Sequence, residues 1–388
     1  MTPSRNVRAL ITLAIFCVLL FELGVLMAGF RRSLDGNGDF SAFYRTGVMV
    51  RAGELHSLYD PNKQLQFDQR LFPELHRFPA YYFYHPPVEA LVLTVLASFS
   101  YRTAFWIWSA ISLALLVLSG TILSRQFPRL RDLCPLPLSM VLLTFFPVVM
   151  VFLQGQDSAL LLLLATLAFV EACRGRQISC GILLGLALFK FQFILPTAAI
   201  LAFQMGRKFV LAFAATALAL LGSCWALVGT AGLRNYWQMV EQGTPEMTWR
   251  MPNIRGAVES LGGPPLVAVI LGLGLCAWCA FRVGRLGTSG FGLAIVCSLL
   301  ASYHGHVYDC VLLIIPVFCA MEEALRKSSH EFGLWPALFF VMLPVYVLLT
   351  RWHATWLFAG LFLLLAATIA FPLTKLNCFP ARAGATLS

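Results

Sequence analysis

Charged residues are scarce in this 388-residue chain, at 12% of the composition, whereas hydrophobic residues make up 59%. The mean hydropathy is +0.78, and apolar runs long enough to span, or nearly span, ~30 Å of hydrocarbon recur from end to end. These values exclude an ordinary soluble protein and indicate a polytopic membrane protein. No stretch has the length or composition of a separate soluble domain, so residues 1–388 are expected to form one membrane domain.

The sequence also lacks the motifs of soluble nucleotide chemistry. It contains no Gly-rich phosphate loop, Walker motif or dinucleotide-binding fingerprint. If this chain acts on an activated substrate, that substrate must be one that binds without a soluble nucleotide-binding domain. A lipid-linked donor that reaches the site through the membrane meets this condition. Eleven cysteines are present, but the two long polar segments, 31–102 and 229–263, contain none. No disulfide framework is therefore expected.

The net charge of +10 comes from basic residues in short loops between apolar runs, which indicates topology rather than nucleic-acid binding. Taking these loops as cytoplasmic predicts about twelve transmembrane helices with both termini inside. The first run, 9–30, is predicted to be a retained helix and not a cleaved signal peptide. The basic clusters are Arg125/Arg129/Arg131, Arg174/Arg176, Arg207/Lys208, Arg282/Arg285, Arg326/Lys327 and Lys375/Arg382.

The segment 86–99 is too short to cross comfortably, and the charge pattern allows only one crossing between the first outer loop and Arg125. We therefore predict a juxtamembrane helix at 86–99 and an inward crossing at 103–123. Residues 31–102 then form the first extracytoplasmic loop, and residues 229–263 form the second. Further crossings are predicted at 137–153, 158–173, 178–189, 191–205, 209–228, 265–281, 290–303, 310–325, 333–349 and 355–373.

This topology places one set of polar residues on the extracytoplasmic side. It includes a carboxylate at Asp39, an amide at Gln156, an amine at Lys190 and imidazoles at His304 and His306. Most of them interrupt or end apolar helices, where an uncompensated polar group is costly. The sequence therefore predicts one extracytoplasmic site.

Two carboxylates have a competing structural interpretation. Asp39 precedes a plausible amphipathic helix, so its side chain could cap that helix instead of acting in catalysis. Asp157 is expected mainly to cap the helix that follows it. Asp35 is the reserve candidate for a catalytic base, although Gly36 and Gly38 make its surroundings flexible.

The cationic candidates also have alternatives. Lys190 could extend to the membrane interface from a helix end. His304 and His306 could bind a metal together with Asp309, but their spacing is unspecific. No metal and no other cofactor is therefore expected.

Seven short motifs follow one another along the chain and together resemble glycosyltransferase family 87, over most of the sequence up to about Pro316. They are GDFSAFY at 38–44, LYDP at 58–61, HPP at 85–87, AFWIW at 104–108, GQD at 155–157, GILLGL at 181–186 leading to Lys190, and SYHGH at 302–306. The resemblance implies the GT-C architecture, which is an all-helical membrane bundle with a catalytic acidic residue in the first extracytoplasmic loop.

Known members of that family resemble polyprenol-phosphate-mannose-dependent α-1,2-mannosyltransferases. The resemblance thus implies transfer of a sugar, mannose by analogy, from a polyprenyl phosphate to a hydroxyl of a glycolipid or glycan, in a multi-pass protein of the cell inner membrane. It selects Asp39 as the catalytic base. The residues expected to bind substrate are Tyr44, His85, Gln156, Lys190, Arg255, His304 and His306.

A transporter or flippase for a lipid-linked or small polar substrate is the alternative function, because intramembrane Lys, His and Asp residues also mark solute paths. The predicted polar residues gather on one side and not at the midplane, and no inverted repeat is apparent. Both observations favour the enzyme.

Overall fold

A computed structural model describes residues 5–75, 81–242, 248–284, 287–326 and 335–371. Every regular element within these ranges is helical, which confirms the predicted all-helical class. Four predicted cytoplasmic basic residues, Arg285, Lys327, Lys375 and Arg382, lie outside the described residues.

The α-helices are, in chain order, α1 Arg5–Leu34, α2 Phe40–Arg51, α3 Pro61–Leu71, α4 Pro87–Leu96, α5 Tyr101–Ser124, α6 Pro128–Leu133, α7 Leu138–Leu143, α8 Pro147–Gln154, α9 Ser158–Cys173, α10 Gln177–Leu186, α11 Phe191–Met205, α12 Arg207–Gln242, α13 Ile254–Ser260, α14 Pro265–Val283, α15 Thr288–Ala301, α16 Ile314–Arg326, α17 Leu343–Arg351 and α18 Phe358–Ala370. Short 3₁₀ helices occur at Leu55–Ser57, Ala187–Lys190, Thr248–Arg250, Val307–Leu313, Trp335–Val341 and Thr355–Leu357.

Several helical runs have the length and composition of membrane spans. Within the described residues, the five that are long and apolar enough to cross are Arg8–Leu34, Tyr101–Ser124, Gln177–Met205, Arg207–Glu241 and Pro265–Val283. Shorter apolar helices, including Ser158–Cys173, accompany them. The chain is therefore a helical membrane protein, and the figure of about twelve crossings stays a prediction.

The run Gln177–Met205 is bent into a hairpin with Lys190 at its tip. The 3₁₀ helix Ala187–Lys190 joins α10 to α11, and Lys190 itself leaves helical geometry with φ −113° and ψ 56°. The ends of the run meet, since a Cβ built on Gly206 would lie 3.9 Å from Gln177 Oε1. The structure thus has the two short helices around Lys190 that the sequence predicted.

Two predicted crossings are interrupted, which corrects the sequence interpretation. The segment 137–153 forms α7 and α8, with Pro147 at the start of α8. The segment 333–349 contains, in its described part, a 3₁₀ helix and then α17, whose second residue is Pro344. Proline has no N–H to donate to the preceding turn, so the hydrogen-bond ladder of a longer helix is interrupted there and a new helix begins. In α12, by contrast, the predicted break at Gly229 is present, at φ 68°.

The two predicted outer loops pack against each other at one end of the helices. Tyr59 in the first loop contacts Tyr236 in the second, with ring centroids 4.9 Å apart, and Gln64 Nε2 lies 3.7 Å from Met239 Sδ. At the opposite end, the backbone N–H of Leu130 donates to Glu322 at 2.9 Å. The helices α5, α9 and α16 run between these ends.

Candidate active site

Asp39 immediately precedes α2, at the N-cap position, but its side chain does not cap the helix. The backbone there is helical, with φ −63° and ψ −25°, and the side chain makes no capping hydrogen bond. Its Oδ2 instead accepts from Gln156 Nε2 at 2.5 Å, and the nearby Tyr308 side chain lowers the pKa of the same carboxylate. The side chain is partly exposed. Asp39 therefore joins distant parts of the chain in an accessible position, and the capping interpretation is wrong.

A glycine turn brings Gln156 to Asp39. Gly155 ends α8 in the left-handed region, at φ 63°, and a Cβ at this position would lie 2.6 Å from Phe40 Cβ. A larger residue would be strained and would also push α2 away. Trp108 Nε1 donates to the Gly155 carbonyl at 2.8 Å, so α5 holds the turn from the other side.

Lys190 lies beneath Gln156 and is almost fully buried, at 4% exposed. Its ammonium lies 3.1 Å from each of three acceptors, which belong to Gln156, Asp157 and Asp309. These partners match the three N–H donors of a lysine, so the alternative that Lys190 extends to the membrane interface is wrong. Because the ammonium occupies Gln156 Oε1, the amide nitrogen of Gln156 must face Asp39.

Asp157 immediately precedes α9, and its side chain makes no capping hydrogen bond, so the expectation that it mainly caps this helix is also wrong. Its carboxylate lies 3.1 Å from Lys190 and 3.2 Å from His85 Nδ1. Burial raises the pKa of Asp157, but Lys190 and His85 outweigh burial and hold that pKa below its usual range. Asp157 is therefore ionised and joins the buried lysine to His85.

Glu89 is a member of the site that the sequence interpretation missed. Its Oε2 lies 2.9 Å from His85 Nδ1. Burial lowers the pKa of His85, but the carboxylates of Glu89 and Asp157 raise it to about 10. His85 is thus an imidazolium at neutral pH. The spacing of four residues between His85 and Glu89, at the start of an apolar helix, was the available signal.

Asp309 anchors the segment that carries both predicted histidines. It accepts from Ser158 Oγ at 3.0 Å and from the backbone N–H of His306 at 3.2 Å. The rings of His304 and His306 lie 4.7 Å apart. Burial, His304 and Lys190 together lower the pKa of His306 well below its usual value. His306 is therefore a neutral imidazole beside the carboxylate network.

Three other sequence candidates lie outside this hydrogen-bonded network. The Tyr44 hydroxyl donates to the Phe99 carbonyl at 2.8 Å. Asp35 forms an exposed ion pair with Arg102 at 2.8 Å. Arg255 Nε donates to Glu259 at 2.6 Å. The structure thus groups Asp39, Gln156 and Lys190 directly, His85 through Asp157, and the two histidines through Asp309.

The network has a buried layer and an accessible layer. Four side chains are at most 4% exposed, namely Gln156, Asp157, Lys190 and Asp309. Above them, six side chains are partly exposed, namely Asp39, His85, Glu89, His304, His306 and Tyr308. A substrate can touch the accessible layer, whereas the buried layer orients it. The arrangement presents a carboxylate that is able to accept a proton, in the same network as an imidazolium that is able to stabilise an anion.

One group of side chains has the spacing of a metal site. Within the described ranges, the ligand atoms of His85, Glu89 and Asp157 lie within 4.8 Å of one another. Lys190 already places a positive charge 3.1 Å from Asp157, and a divalent cation would be repelled by it. The expectation of no metal stays a prediction.

Comparison with known proteins identifies the chain. A model of glycosyltransferase family 87 matches residues 83–316, which is more than half of the sequence. The match includes Gln156, Lys190 and Asp309, whereas Asp39 precedes it and is linked to these residues by the structure alone. No protein of curated function and no solved structure matches the chain significantly. The matched region holds the whole buried layer of the site, and the protein is a glycosyltransferase that belongs to glycosyltransferase family 87.

Proposed function

We propose that this glycosyltransferase moves a sugar, mannose as the first candidate, from a polyprenyl phosphate to a hydroxyl group of a glycolipid or glycan. The reaction takes place at the extracytoplasmic face of the cell inner membrane. One observation carries the proposal. Asp39 is a partly exposed carboxylate, held by the neutral amide of Gln156, at one end of a bundle of apolar helices.

The proposed reaction is a direct displacement at the anomeric carbon. The acceptor oxygen forms a bond to that carbon as the bond to the phosphate oxygen breaks, and the bonding electrons leave with the phosphate. Asp39 takes the proton of the attacking hydroxyl. Burial raises the pKa of Asp39, while Gln156, Lys190 and Tyr308 oppose that rise. The single displacement inverts the anomeric centre, so an α-linked product requires a β-linked sugar donor.

The leaving phosphate needs positive charge or hydrogen-bond donors nearby. His85 is the accessible cation of the network, because its two carboxylate partners keep the imidazole protonated. His304 and His306 offer further ring nitrogens. Lys190 lies in the buried layer and does not touch the sugar donor. It fixes the position of Gln156 and balances the negative charges of Asp157 and Asp309.

The site geometry also bears on the alternative of transport. The polar network lies at the end of the helices that also carries both long loops, whereas a solute path requires polar groups near the midplane. This position favours catalysis on lipid-linked substrates.

The test is turnover by purified protein in nanodiscs that contain membrane extract as acceptor. A panel of polyprenyl-phosphate sugars, including mannose, is supplied and release of the carrier is measured. We expect Asp39→Asn to fold and to turn over about 10²–10⁴-fold more slowly than the wild type, which is the usual contribution of a general base. Asp35→Asn is the matched control, because this nearby carboxylate is paired at the surface, and it should retain activity.

Two results would contradict the proposal. One is an Asp39→Asn variant with full turnover. The other is a folded wild-type protein that releases carrier from none of the sugar donors, and transport across proteoliposomes would then be assayed next.

A further inference from the structure

An exposed guanidinium lies at the rim of the active site. Arg250 ends the 3₁₀ helix Thr248–Arg250, and its side chain is open to solvent. The guanidinium carbon lies 4.9 Å from the centroid of the Trp249 ring. Among the described residues, no Asp or Glu side chain pairs with Arg250. The ring restrains the guanidinium, and the N–H groups at its edge stay available for an anion.

The backbone that carries Arg250 is fixed on both sides. The Trp249 ring stacks on His353, with ring centroids 4.1 Å apart and ring planes at 20°, and the Thr355 hydroxyl donates to the Trp249 carbonyl. The next three residues, 251–253, are buried. The fold therefore holds Arg250 in one place before any substrate binds.

The segment after Arg250 lies against the loop that carries the active-site histidines. Asn253 lines one small cavity together with Gly305 and His306, and its Nδ2 donates to the Ser302 carbonyl at 2.9 Å. Burial is the main cause of the low pKa of His306, and the positive charge of Arg250 contributes to it. Arg250 and His306 thus belong to the same side of the site.

The hydrogen-bonded network has two branches that meet at Lys190. Asp157 connects Lys190 to His85, and Asp309 connects it to the backbone of His306. In a direct displacement, the attacking oxygen and the leaving oxygen stand on opposite sides of the anomeric carbon. Since the proposed leaving phosphate lies at the His85 imidazolium, the acceptor is expected to enter along the branch of His306.

We propose that Arg250 binds an anionic group of the acceptor, so that the acceptor is a glycan or glycolipid that carries a phosphate or a carboxylate. His306 is neutral, and Arg250 supplies a positive charge on that branch. Two parallel N–H donors of a guanidinium match two oxygens of either anion. The inference rests on the proposed function, and it adds the chemical class of the acceptor and the residue that selects it.

The experiment compares acceptors of different charge. Membrane extract is separated by anion exchange into a neutral and an anionic fraction. Purified protein in nanodiscs receives a radiolabelled polyprenyl-phosphate sugar, and transfer of label into each fraction is measured. Part of the anionic fraction is first treated with diazomethane, which converts phosphates and carboxylates into neutral methyl esters.

Arg250→Gln is compared with Arg70→Gln. Arg70 is the matched control because it is also exposed, lies in the first outer loop and has its guanidinium 5.2 Å from the centroid of an aromatic ring, that of Phe67. We expect the wild type and Arg70→Gln to label the anionic fraction. Arg250→Gln should raise KM for that fraction about 10–100-fold, which corresponds to one hydrogen bond to a charged group, and should leave KM for the sugar donor unchanged.

Methylation of the acceptor tests the contact itself. It should raise KM of the wild type for the acceptor fraction by about the same factor as the Arg250→Gln substitution. It should not raise KM of Arg250→Gln further, because the guanidinium and the anion are the two partners of one interaction and their losses are not additive.

Three results would overturn the inference. Transfer by the wild type into the neutral fraction alone would show that the acceptor has no anionic group. Equal KM values of Arg250→Gln and Arg70→Gln for the anionic fraction would show that Arg250 does not bind it. A rise in KM for the sugar donor alone in Arg250→Gln would assign Arg250 to the donor phosphate. In each case wild-type transfer is retained, whereas failure of the proposed function would appear as no transfer into either fraction.

Discussion

The hydrogen bond from Gln156 to Asp39 should control the pH dependence of transfer. Gln156→Met keeps most of the side-chain volume and removes the amide that donates to Asp39 at 2.5 Å. This bond stabilises the ionised carboxylate and lowers its pKa, so its loss raises the pKa of Asp39. A hydrogen bond to a charged group contributes about 1.5–3 kcal/mol, and one pKa unit corresponds to about 1.36 kcal/mol. The expected rise is therefore about one to two pH units.

A general base acts in its ionised form, so turnover falls as the pH drops through its pKa. In the variant, the acidic limb of the profile of kcat/KM against pH should move upward by this amount. Gln154→Met is the control, because Gln154 lies two residues earlier in the same turn, and its profile should match the wild type. An acidic limb that stays in place in Gln156→Met, with the protein folded, would refute the assignment of that limb to Asp39.

Two further predictions concern the charges below the site. Lys190→Met leaves Asp157 and Asp309 buried without their cation and should lower stability by about 3–5 kcal/mol. Thermal unfolding in detergent would show this, with Lys63→Met as control because the Lys63–Glu54 pair is partly exposed to solvent and surface pairs contribute little to stability. Equal melting temperatures of the two variants would contradict the ion network. Treatment with EDTA should leave turnover unchanged, because Lys190 supplies the positive charge at Asp157. If EDTA abolishes activity and added Zn²⁺ or Mg²⁺ restores it, this prediction is wrong.

The sequence predicts the helical runs well where local patterns determine them. The hairpin at Lys190 and the break at Gly229 follow from short apolar runs and a glycine. The break before Pro147 was also readable, since proline stops a helix by local geometry. Apolarity alone led to the single predicted crossing at 137–153, and the proline overrides it.

The site was predictable as a group of residues but not as a network. The predicted helix ends and the order of the motifs indicated that Asp39, Gln156 and Lys190 lie on the same side of the membrane. Two of the partners of Lys190, Gln156 and Asp309, are 34 and 119 residues away along the chain, and no local pattern specifies such pairs. For the same reason Asp39 and Asp157 had the sequence context of helix caps, although tertiary contacts direct their side chains elsewhere.

The charges of the site explain why an amide separates Lys190 from Asp39. Lys190 and His85 are the cations of the network, and they contact Asp157 and Asp309, which they compensate. A direct pair between Lys190 and Asp39 would hold Asp39 ionised but would make it a weak base, because an adjacent cation lowers the pKa of a carboxylate. The Lys190 ammonium fixes the orientation of the Gln156 amide, and that amide in turn orients the Asp39 carboxylate. Because the amide is neutral, Asp39 does not make a direct contact with the charge of Lys190. Asp39 is thereby fixed in position while burial keeps its pKa raised, which is the combination that a general base requires.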